Sequence, residues 1–307
     1  MITYIIRRVL QSFIVLIGVS IAVAAMTQFV PGDPAVAILG ETASPEALAT
    51  LREEMGLNDP FYVQYWRFIE RLVTEGSLGT SIRTNREVLV EIGDRLPNTM
   101  ILTFGAVILS SVIGISSGVL AAVKRGTPID AGVLVATTAG LSLPSFWIAL
   151  LMIWLFSVRL GWLPVTGAGS WKHAIMPILS LSIQSVATKS RLTRSAMLES
   201  LSQDYIRTGR AKGLRENQVV LIHALRNALL PVLTIIGLQF GALLGGAFIT
   251  EVIFGWPGVG QLAVNSILQR DFPVVQGTVL LVTSAFVITN LLVDIAYAWV
   301  DPRIRYA

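Results

Sequence analysis

The sequence predicts an all-α, polytopic membrane protein with six transmembrane helices. Of its 307 residues, 53% are hydrophobic and only 14% are charged, whereas soluble domains carry about 25% charged residues. The apolar residues also form long blocks, each close to the roughly 20 residues that a helix needs to cross the hydrocarbon layer. Lys and Arg are concentrated in alternate connections between these blocks. A soluble globular fold is therefore disfavoured.

Six apolar runs are predicted to span the membrane, at residues 9–30, 99–123, 131–158, 174–188, 228–250 and 277–300. The fourth run is short, and we expect its helix to continue past Lys189. Only helices and closed barrels satisfy their backbone in lipid, and runs this long and apolar favour helices. The runs divide the chain into an N-terminal anchor (1–30), an outside segment (31–98) and a five-helix core (99–307) with a cytoplasmic loop at 199–228.

The distribution of positive charge predicts that both termini are cytoplasmic. With the N-terminus inside, the inside segments hold 14 Lys and Arg residues and the short outside loops hold three, which agrees with the positive-inside rule. A cleavable signal peptide is the alternative for the first run, because Arg7 and Arg8 precede an apolar stretch that ends in Ala22-Val23-Ala24. The length of that run favours an uncleaved anchor.

The composition also argues against several kinds of site. The chain contains no cysteine and only two histidines, His173 and His223, so we expect no metal site and no cysteine nucleophile. The net charge of +4 is explained by topology rather than by nucleic acid, which we do not expect as a partner.

The outside segment is predicted to form two short helices. One begins at Ser44-Pro45-Glu46, where Ser can cap and Pro fits the first turn, and Gly56 can end it. The second begins at Asp59-Pro60 and has one apolar face and one charged face. The apolar face holds Phe61, Tyr65, Phe68, Ile69 and Leu72, and the charged face holds Arg67, Glu70, Arg71 and Glu75. This pattern is typical of a helix that lies on the membrane surface or on the bundle. It is either a packed cap or a docking surface for an outside partner.

Small residues recur at every fourth position in three of the predicted spans, which allows close approach of helix backbones in lipid. These stripes are Ser110, Gly114 and Gly118; Gly132, Ala136 and Gly140; and Gly237, Gly241 and Gly245. Proline is expected to kink the spans at Pro144, Pro177 and Pro231. Kinks suit a pathway that opens and closes, but inert membrane proteins also contain them.

The loop before the fifth span is predicted to contain a short basic helix. Asp204 can cap its start, Arg210 and Lys212 suit its C-terminal end, and Gly213 can supply a left-handed stop. Small residues within the helix would let a partner surface come close. The alternative is that these positive charges only fix the topology. The predicted helix comprises Asp204, Tyr205, Ile206, Arg207, Thr208, Gly209, Arg210, Ala211, Lys212, Gly213 and Leu214.

Ordered motifs run through the whole chain. They are Pro31-Gly32-Asp33-Pro34, Pro144-Ser145-Phe146, residues 205–214 with 223–231, residues 251–260 and residues 301–306. Together they resemble the permease subunits of ATP-binding-cassette (ABC) importers, in the dipeptide, oligopeptide and nickel branch. Within that branch, Trp162-Leu163-Pro164 and residues 237–241 are most similar to glutathione and dipeptide permeases.

This resemblance implies a type I (MetI-like) permease bundle in a bacterial inner membrane, in which the basic helix is a coupling helix that docks on a cytoplasmic ATPase. It also implies a homologous second permease subunit and a periplasmic or lipid-anchored binding protein. The chain has no Gly-Lys dipeptide and hence no phosphate-binding P-loop, so ATP and Mg²⁺ are expected in partner subunits. One departure is that Arg207-Thr208-Gly209 replaces the Glu-Ala-Ala opening of the wider family, which leaves no acidic contact to the ATPase. Another is Leu225-Arg226 in place of Leu-Pro.

The candidates for a gate lie where the fifth span emerges outside, and the candidates for pathway lining lie within the fourth and fifth spans. We expect Glu251 and the glycine-rich loop 254–260, with Phe254, Trp256 and Pro257, to fold back between helices. The alternative is an ordinary exposed loop with a solvated Glu251. Gln184 and Gln239 are candidates for pathway lining, although polar side chains more often join helices. Asp294, within the last span, is expected to pair with a neighbouring cation.

Two other classes of function remain as alternatives. A transporter driven by an ion gradient would need acidic residues near the middle of the membrane, but Asp130 and Asp294 lie near span ends. A membrane-bound enzyme would need a catalytic motif, and neither a His-Glu-x-x-His helix nor a Gly-x-Ser-x-Gly elbow occurs. Peptides, glutathione, opines and nickel chelates all remain possible solutes.

Overall fold

The computed structural model describes residues 2–29, 34–40, 42–54 and 56–300, and these ranges are built from α-helices and their connections, which confirms the all-α prediction. Among the described residues, two segments are π-helical, Ile153–Arg159 after α7 and Val219–Ala224 between α10 and α11. The helices are α1 (Ile2–Phe29), α2 (Pro34–Leu39), α3 (Pro45–Glu54), α4 (Phe61–Thr74), α5 (Val88–Val123), α6 (Pro128–Ser142), α7 (Ser145–Met152), α8 (Trp171–Leu201), α9 (Asp204–Ala211), α10 (Glu216–Gln218), α11 (Leu225–Ile253), α12 (Val259–Leu268) and α13 (Phe272–Val300).

Within the described ranges, four helical runs are long and apolar enough to cross a membrane: Ile5–Ala25, Val88–Val123, Glu216–Gly245 and Phe272–Ile295. The second begins eleven residues before the predicted start at residue 99. The fifth predicted span likewise begins earlier, because α10, the π-helical segment and α11 form one continuous helical run. Val30, Pro31-Gly32-Asp33 and the motif at 301–306 lie outside the described residues.

The third predicted span, residues 131–158, is not one helix. The chain breaks at Leu143-Pro144, and the two halves, Pro128–Ser142 and Ser145–Arg159, are bent by 102°. Proline is the cause, because it favours an extended conformation in the residue before it, and Leu143 is extended with φ −91° and ψ 130°. Pro177 and Pro231, by contrast, lie inside α8 and α11, which continue past them.

Helix α8 has the length of a span but not the composition of one. Its 31 residues extend about 46 Å at 1.5 Å per residue, and it continues past Lys189 as expected. It carries many hydroxyl and charged residues, and much of it is buried, including Ser180, Ser182 and Lys189. Two of the buried hydroxyls donate hydrogen bonds to carbonyls of the same helix, Ser180 to Pro177 and Ser182 to Leu179. These polar groups therefore have hydrogen-bond partners although they are buried.

The chain forms two compact units, which we call the large unit and the small unit. The large unit contains Met100–Trp256 and residues 289–300 of the described chain. In it, α8 is the central helix, since it packs against α6, α7 and α11. A cluster of Met197, Ile206, Val219, Val220 and Ala224, which we call the α9 cluster, lies at one end of α8.

The small unit contains Ile2–Thr99 and Pro257–Ile288. Its core joins α1, α5, α12 and α13 through Val23, Val88, Ile92, Val259 and Val274. Helix α12 was not predicted, because its ten residues are too few to stand out from the neighbouring apolar sequence.

A carboxylate organises the loop of the small unit that precedes α5. Asp271 accepts hydrogen bonds from the hydroxyl of Ser81 at 2.5 Å and from the backbone N–H of Ile82 at 3.2 Å. Arg83 reinforces this contact by donating from Nε and Nη2 to the carbonyl of Gln269 at 3.1 and 3.0 Å. These bonds tie the loop to the α12–α13 connection.

Candidate functional site

Helix α9 presents a mostly exposed surface at the end of the large unit. Of its eight residues, Ile206 is buried and Gly209 is half-buried, while the other six are exposed. The exposed residues that follow are Lys212, Gly213 and Leu214. The predicted basic helix therefore exists, and its surface is available to a partner.

The two ends of α9 differ from the prediction in detail. Asp204 is the first helical residue rather than the cap, a position held by Gln203 without a side-chain bond. A carboxylate in the first turn still complements the helix dipole. The helix ends at Ala211 rather than at Leu214, because Gly213 takes the left-handed conformation with φ +79°.

The C-terminal end of α9 is a Schellman motif. The N–H of Leu214 donates to the carbonyl of Gly209 at 3.3 Å, and the N–H of Gly213 donates to that of Arg210 at 3.0 Å. The Leu214 side chain closes over Gly209, where an added Cβ would lie 3.5 Å from Leu214 Cδ1. The motif gives the end of the helix a defined shape.

Two neighbouring residues attach α9 to the long helices. Ile206 inserts into the α9 cluster, where it packs with residues from α8 and with Val219 and Val220. The Tyr205 hydroxyl lies 2.6 Å from Ser200 Oγ and accepts a hydrogen bond from Asn227 Nδ2 at 2.9 Å. Because Ser200 belongs to α8 and Asn227 to α11, one phenol connects three elements.

Of the two arginines of α9, Arg207 has a guanidinium that remains largely available to a partner. Its side chain is 79% exposed and approaches Asp204 only at 3.7 Å, which is a weak surface contact. Arg210 instead makes two bonds to the carboxylate of Glu216, at 3.1 and 2.6 Å. This hydrogen bonding raises the pKa of the Arg210 guanidinium above its usual value.

The predicted gate residues are packed rather than exposed. Glu251 is fully buried, which overturns the alternative of a solvated glutamate in an ordinary loop. Phe254 packs with Ala149 and Met176, and Trp256 packs in a separate cluster between α5, α8 and α11. The non-helical connection is shorter than predicted, because Val259 and Gly260 already belong to α12.

The loop is nevertheless tight, as the glycine pattern predicted. Gly255 has φ +55°, and the adjacent Phe254 carbonyl accepts a hydrogen bond from Gly167 N at 3.0 Å. The connection before α8 therefore holds the end of α11.

The two glutamine candidates have different environments. Gln184 donates from Nε2 to the carbonyl of Leu143 at 3.1 Å, so it satisfies a carbonyl freed by the break between α6 and α7. Gln239 Oε1 is buried and has no hydrogen-bond partner among the described residues. Only Gln239 thus offers an unused polar atom. Asp294 lies partly buried in α13.

Two buried charge sites in the large unit were not predicted. Lys189 is 0% exposed, and its Nζ donates to Ser110 Oγ at 2.6 Å and to Ser111 Oγ at 3.2 Å. Asp130 accepts two bonds from Arg194, at 2.7 and 2.8 Å. The sequence separations, near 80 and 64 residues, explain why pattern analysis missed both contacts. Lys189 and Arg194 both lie within α8, in the part that continues past the predicted apolar run.

The small unit contains a polar cavity of about 490 Å³. Glu91, Arg95 and Asn98 of α5 line it together with Pro257 and Asn265. Of the gate candidates, Pro257 alone lines this cavity, and its carbonyl accepts a bond from Asn98 Nδ2 at 2.9 Å. The cavity was not predicted, because its lining comes from segments far apart in sequence.

Two family models match the chain. Residues 111–306 match the model described as binding-protein-dependent transport system inner membrane component. Residues 1–103 match the N-terminal model of the membrane component of the same systems.

Relatives match over the whole length of the chain. The dipeptide transport system permease protein DppB of Alkalihalophilus pseudofirmus is 42% identical, and all of both chains is covered. The glutathione transport system permease protein GsiC is 44% identical in Salmonella paratyphi A and 42% identical in Escherichia coli K12, again with full coverage of both chains.

Solved structures share the fold at low sequence identity. An inward-facing structure of the MetNI methionine ABC transporter matches with a TM-score of 0.55 and 22% identity, covering 69% of this chain and 95% of that one. A structure described as an amino acid ABC transporter with histidines matches with a TM-score of 0.52 and 18% identity, covering 69% and 94%.

Proposed function

The chain belongs to the family of inner membrane components of binding-protein-dependent transport systems, and on that premise we propose that it imports a peptide-class solute and that α9 receives the motion of an ATPase. It is a permease subunit of an ABC importer and not an enzyme. It works with ATPase and other subunits, since ATP hydrolysis in such importers belongs to separate chains. The proposal concerns the solute, the partner arrangement and the residues that couple them.

The solute class is supported by the relatives. Proteins named for dipeptide and for glutathione transport are 42–44% identical to this chain over its whole length. Both solutes are small peptides with free carboxylates. Uptake of radiolabelled dipeptides, oligopeptides and glutathione, measured in cells with and without the gene, tests this. Uptake of none of these solutes above the background of the deletion strain would contradict the peptide class.

The single observation that carries the coupling role is the construction of α9. Its exposed surface has a defined end, while Ile206 and the Tyr205 hydroxyl attach it to α8 and α11. A push on α9 would therefore reach two long helices at once. Such a connection allows a partner to bias a two-state arrangement of the bundle.

We expect a second, homologous permease subunit to complete the pathway, ATPases to bind ATP and Mg²⁺ below it, and a periplasmic or lipid-anchored binding protein to deliver the solute. Gln239, whose buried carbonyl oxygen has no hydrogen-bond partner among the described residues, is the candidate we favour for contact with the solute or the second subunit once the bundle changes its arrangement. Glu251, Phe254 and Trp256 would act as a packed plug that moves when the pathway opens. Gln184 instead supports the break between α6 and α7.

A pair of alanine substitutions tests the coupling role of α9. Gly213→Ala forces a side chain into the left-handed region at φ +79°, which costs about 1 to 2 kcal/mol and should fray the Schellman end. Gly126→Ala is the matched control, because Gly126 is also left-handed, with φ +77°, but lies in the connection between α5 and α6. In the purified assembled importer, Gly213→Ala should lower solute-stimulated ATP hydrolysis several-fold, and Gly126→Ala should not.

A bulky substitution tests docking separately from the shape of α9. Ala211→Trp adds volume on the exposed surface of α9, and Lys124→Trp adds it on the exposed connection between α5 and α6. We expect Ala211→Trp to reduce recovery of the ATPase with the purified chain and Lys124→Trp to leave it unchanged. Full recovery of the ATPase with Ala211→Trp, together with full solute-stimulated ATP hydrolysis by Gly213→Ala, would overturn the coupling role.

A further inference from the structure

Helix α4 in the small unit has a broad apolar arc that the protein covers only in part. At 3.6 residues per turn, the arc spans about 160° of the helix. One edge of it faces the unit: Phe61, Tyr65, Phe68 and Leu72 are half-buried. The other edge is open, with Tyr62 71%, Trp66 67% and Val73 76% exposed.

The covered edge of α4 rests on a membrane-spanning helix. The Tyr65 hydroxyl lies 2.9 Å from Ser20 Oγ of α1, and Phe68 and Leu72 pack against the same core as Val19. Ser20 precedes Ala25, the end of the apolar run of α1, by five residues, or about 7.5 Å along the helix axis. The contact therefore fixes α4 at a depth slightly inside the end of a span.

The remaining face of α4 is charged. Arg67, Glu70, Arg71 and Glu75 are exposed, and Arg67 pairs with Asp59 at 2.6 Å. A charged face opposite an apolar face with aromatic residues is the pattern of helices that lie in the plane of a membrane interface, with the apolar side about 5 to 10 Å deep. Tyr and Trp are enriched at that level of the bilayer.

We propose that α4 lies in the lipid–water interface and that Tyr62, Trp66 and Val73 insert among the lipids. Lipid is the occupant that the neighbouring surface favours, because α1 exposes Phe13, Ile14, Ile17 and Ile21 along the same apolar run. The open edge of α4 then continues a lipid-facing surface. The helix anchors the small unit at a fixed depth, and this role is independent of the solute and of the ATPase.

Spin labels on single cysteines test the proposal, since the chain has no native cysteine. Trp66→Cys and Val73→Cys report on the open edge. Thr74→Cys is the matched control, because residue 74 is exposed and lies next to Val73 but on the charged side. The labelled importer, assembled with its partner subunits and reconstituted in phosphatidylcholine bilayers, is compared with an identically treated importer without the new cysteine.

Accessibility to oxygen and to a water-soluble nickel chelate distinguishes the occupants. We expect the labels at 66 and 73 to be accessible to oxygen and shielded from the chelate, and the label at 74 to show the reverse. Accessibility of all three labels to the chelate would mean that α4 lies in water. Shielding of 66 and 73 from both reagents would mean that a protein covers them, and either result overturns the proposal.

A second measurement uses the native side chain. The difference in tryptophan fluorescence between the wild type and Trp66→Phe is recorded in bilayers with lipids brominated near the headgroup or deep in the acyl chain. We expect stronger quenching of this difference by the shallow bromines. No quenching by either lipid would contradict insertion. Neither measurement requires transport, so a failure of the proposed function would not obscure the result.

Discussion

At the scale of single residues, the most unusual group is the buried Lys189 ammonium. It donates to two serine hydroxyls, with a third oxygen, the Val107 carbonyl, at 3.5 Å, and it makes no ion pair among the described residues. A buried charge that is held only by neutral acceptors retains much of its desolvation cost. Its contacts join α5 to α8, so it acts as a polar link between helices.

Lys189→Met should therefore be neutral or stabilising, because it replaces the charge with an apolar chain of similar volume. Ser110→Ala should destabilise the protein by about 1 to 3 kcal/mol, since it removes the closest acceptor of the charge. Thermal unfolding of the purified importer measures both effects. In the Lys189→Met background, Ser110→Ala should cost much less. Equal costs of Ser110→Ala in the two backgrounds would show that the lysine is not held as described.

Sequence patterns revealed residues with local roles better than residues with distant partners. Two such features follow from neighbours along the chain: the left-handed Gly213, and the helix cap in which Ala47 N–H donates to Ser44 Oγ at 3.2 Å. Lys189 could be found only as a charge within a helix, because nothing near it in sequence indicates the serines that hold it. The docking role of α9 stays a prediction.

At the scale of helices, the stripes of small residues divide into two kinds. A Cβ added to Gly118 would lie 2.5 Å from the carbonyl oxygen of Ser190, and one added to Gly114 would lie 2.8 Å from Lys189 Cβ. These glycines allow α5 and α8 to touch. Gly237 similarly meets Val293 of α13, whereas Gly132 has nothing within 4 Å. The same spacing thus marks close packing in some helices and open surface in others.

Gly118→Ala and Gly132→Ala form a matched pair. The first places a methyl group against a backbone oxygen that cannot move without shifting α8, and overpacking of this kind costs about 1 to 3 kcal/mol. The second exchanges Gly for a better helix former in open space, which stabilises by up to about 1 kcal/mol. Melting temperature should fall for Gly118→Ala and stay equal or rise for Gly132→Ala. The reverse order would contradict the α5–α8 contact.

Helix existence was predictable, but helix limits were not. Apolar runs signalled the long helices, yet α5 already begins at Val88, and its first turns contain the charged residues Glu91 and Asp94. Pro144 was recognised as a kink, but the size of the bend, 102°, and the hydrogen bond from Gln184 to the Leu143 carbonyl were not predicted. Hydropathy reports neither the polar start of a helix nor the angle at a proline.

At the scale of the whole molecule, the predicted orientation can be tested directly. We expect Lys124, between α5 and α6, to face the cytoplasm, and Lys172, at the start of α8, to face outside. Because the chain lacks cysteine, Lys124→Cys and Lys172→Cys provide single reporters at exposed positions. In intact spheroplasts, a membrane-impermeant maleimide should label only Lys172→Cys, and permeabilisation should expose both. If only Lys124→Cys were labelled before permeabilisation, the orientation in the membrane would be the reverse of the predicted one.

Composition alone does not give the number of membrane spans in this chain. Six predicted spans are reached only if the bent pair α6–α7 counts as one span and α8 counts as another. A helix surrounded by other helices does not need the apolar surface that contact with lipid requires. Hydropathy alone therefore does not identify α8 as a membrane span. The sequence prediction identified its apolar first half at residues 174–188 and the continuation of the helix past Lys189, but not its end at Leu201.

The polar composition of α8 also bears on how the protein is made. A segment this hydrophilic would partition poorly into the bilayer from the translocon on its own. Two of its charges, however, find their counterparts in chain that has already been synthesised: Ser110 and Ser111 for Lys189, and Asp130 for Arg194. Insertion of α8 into the membrane would thus depend on α5 and α6 being in place first.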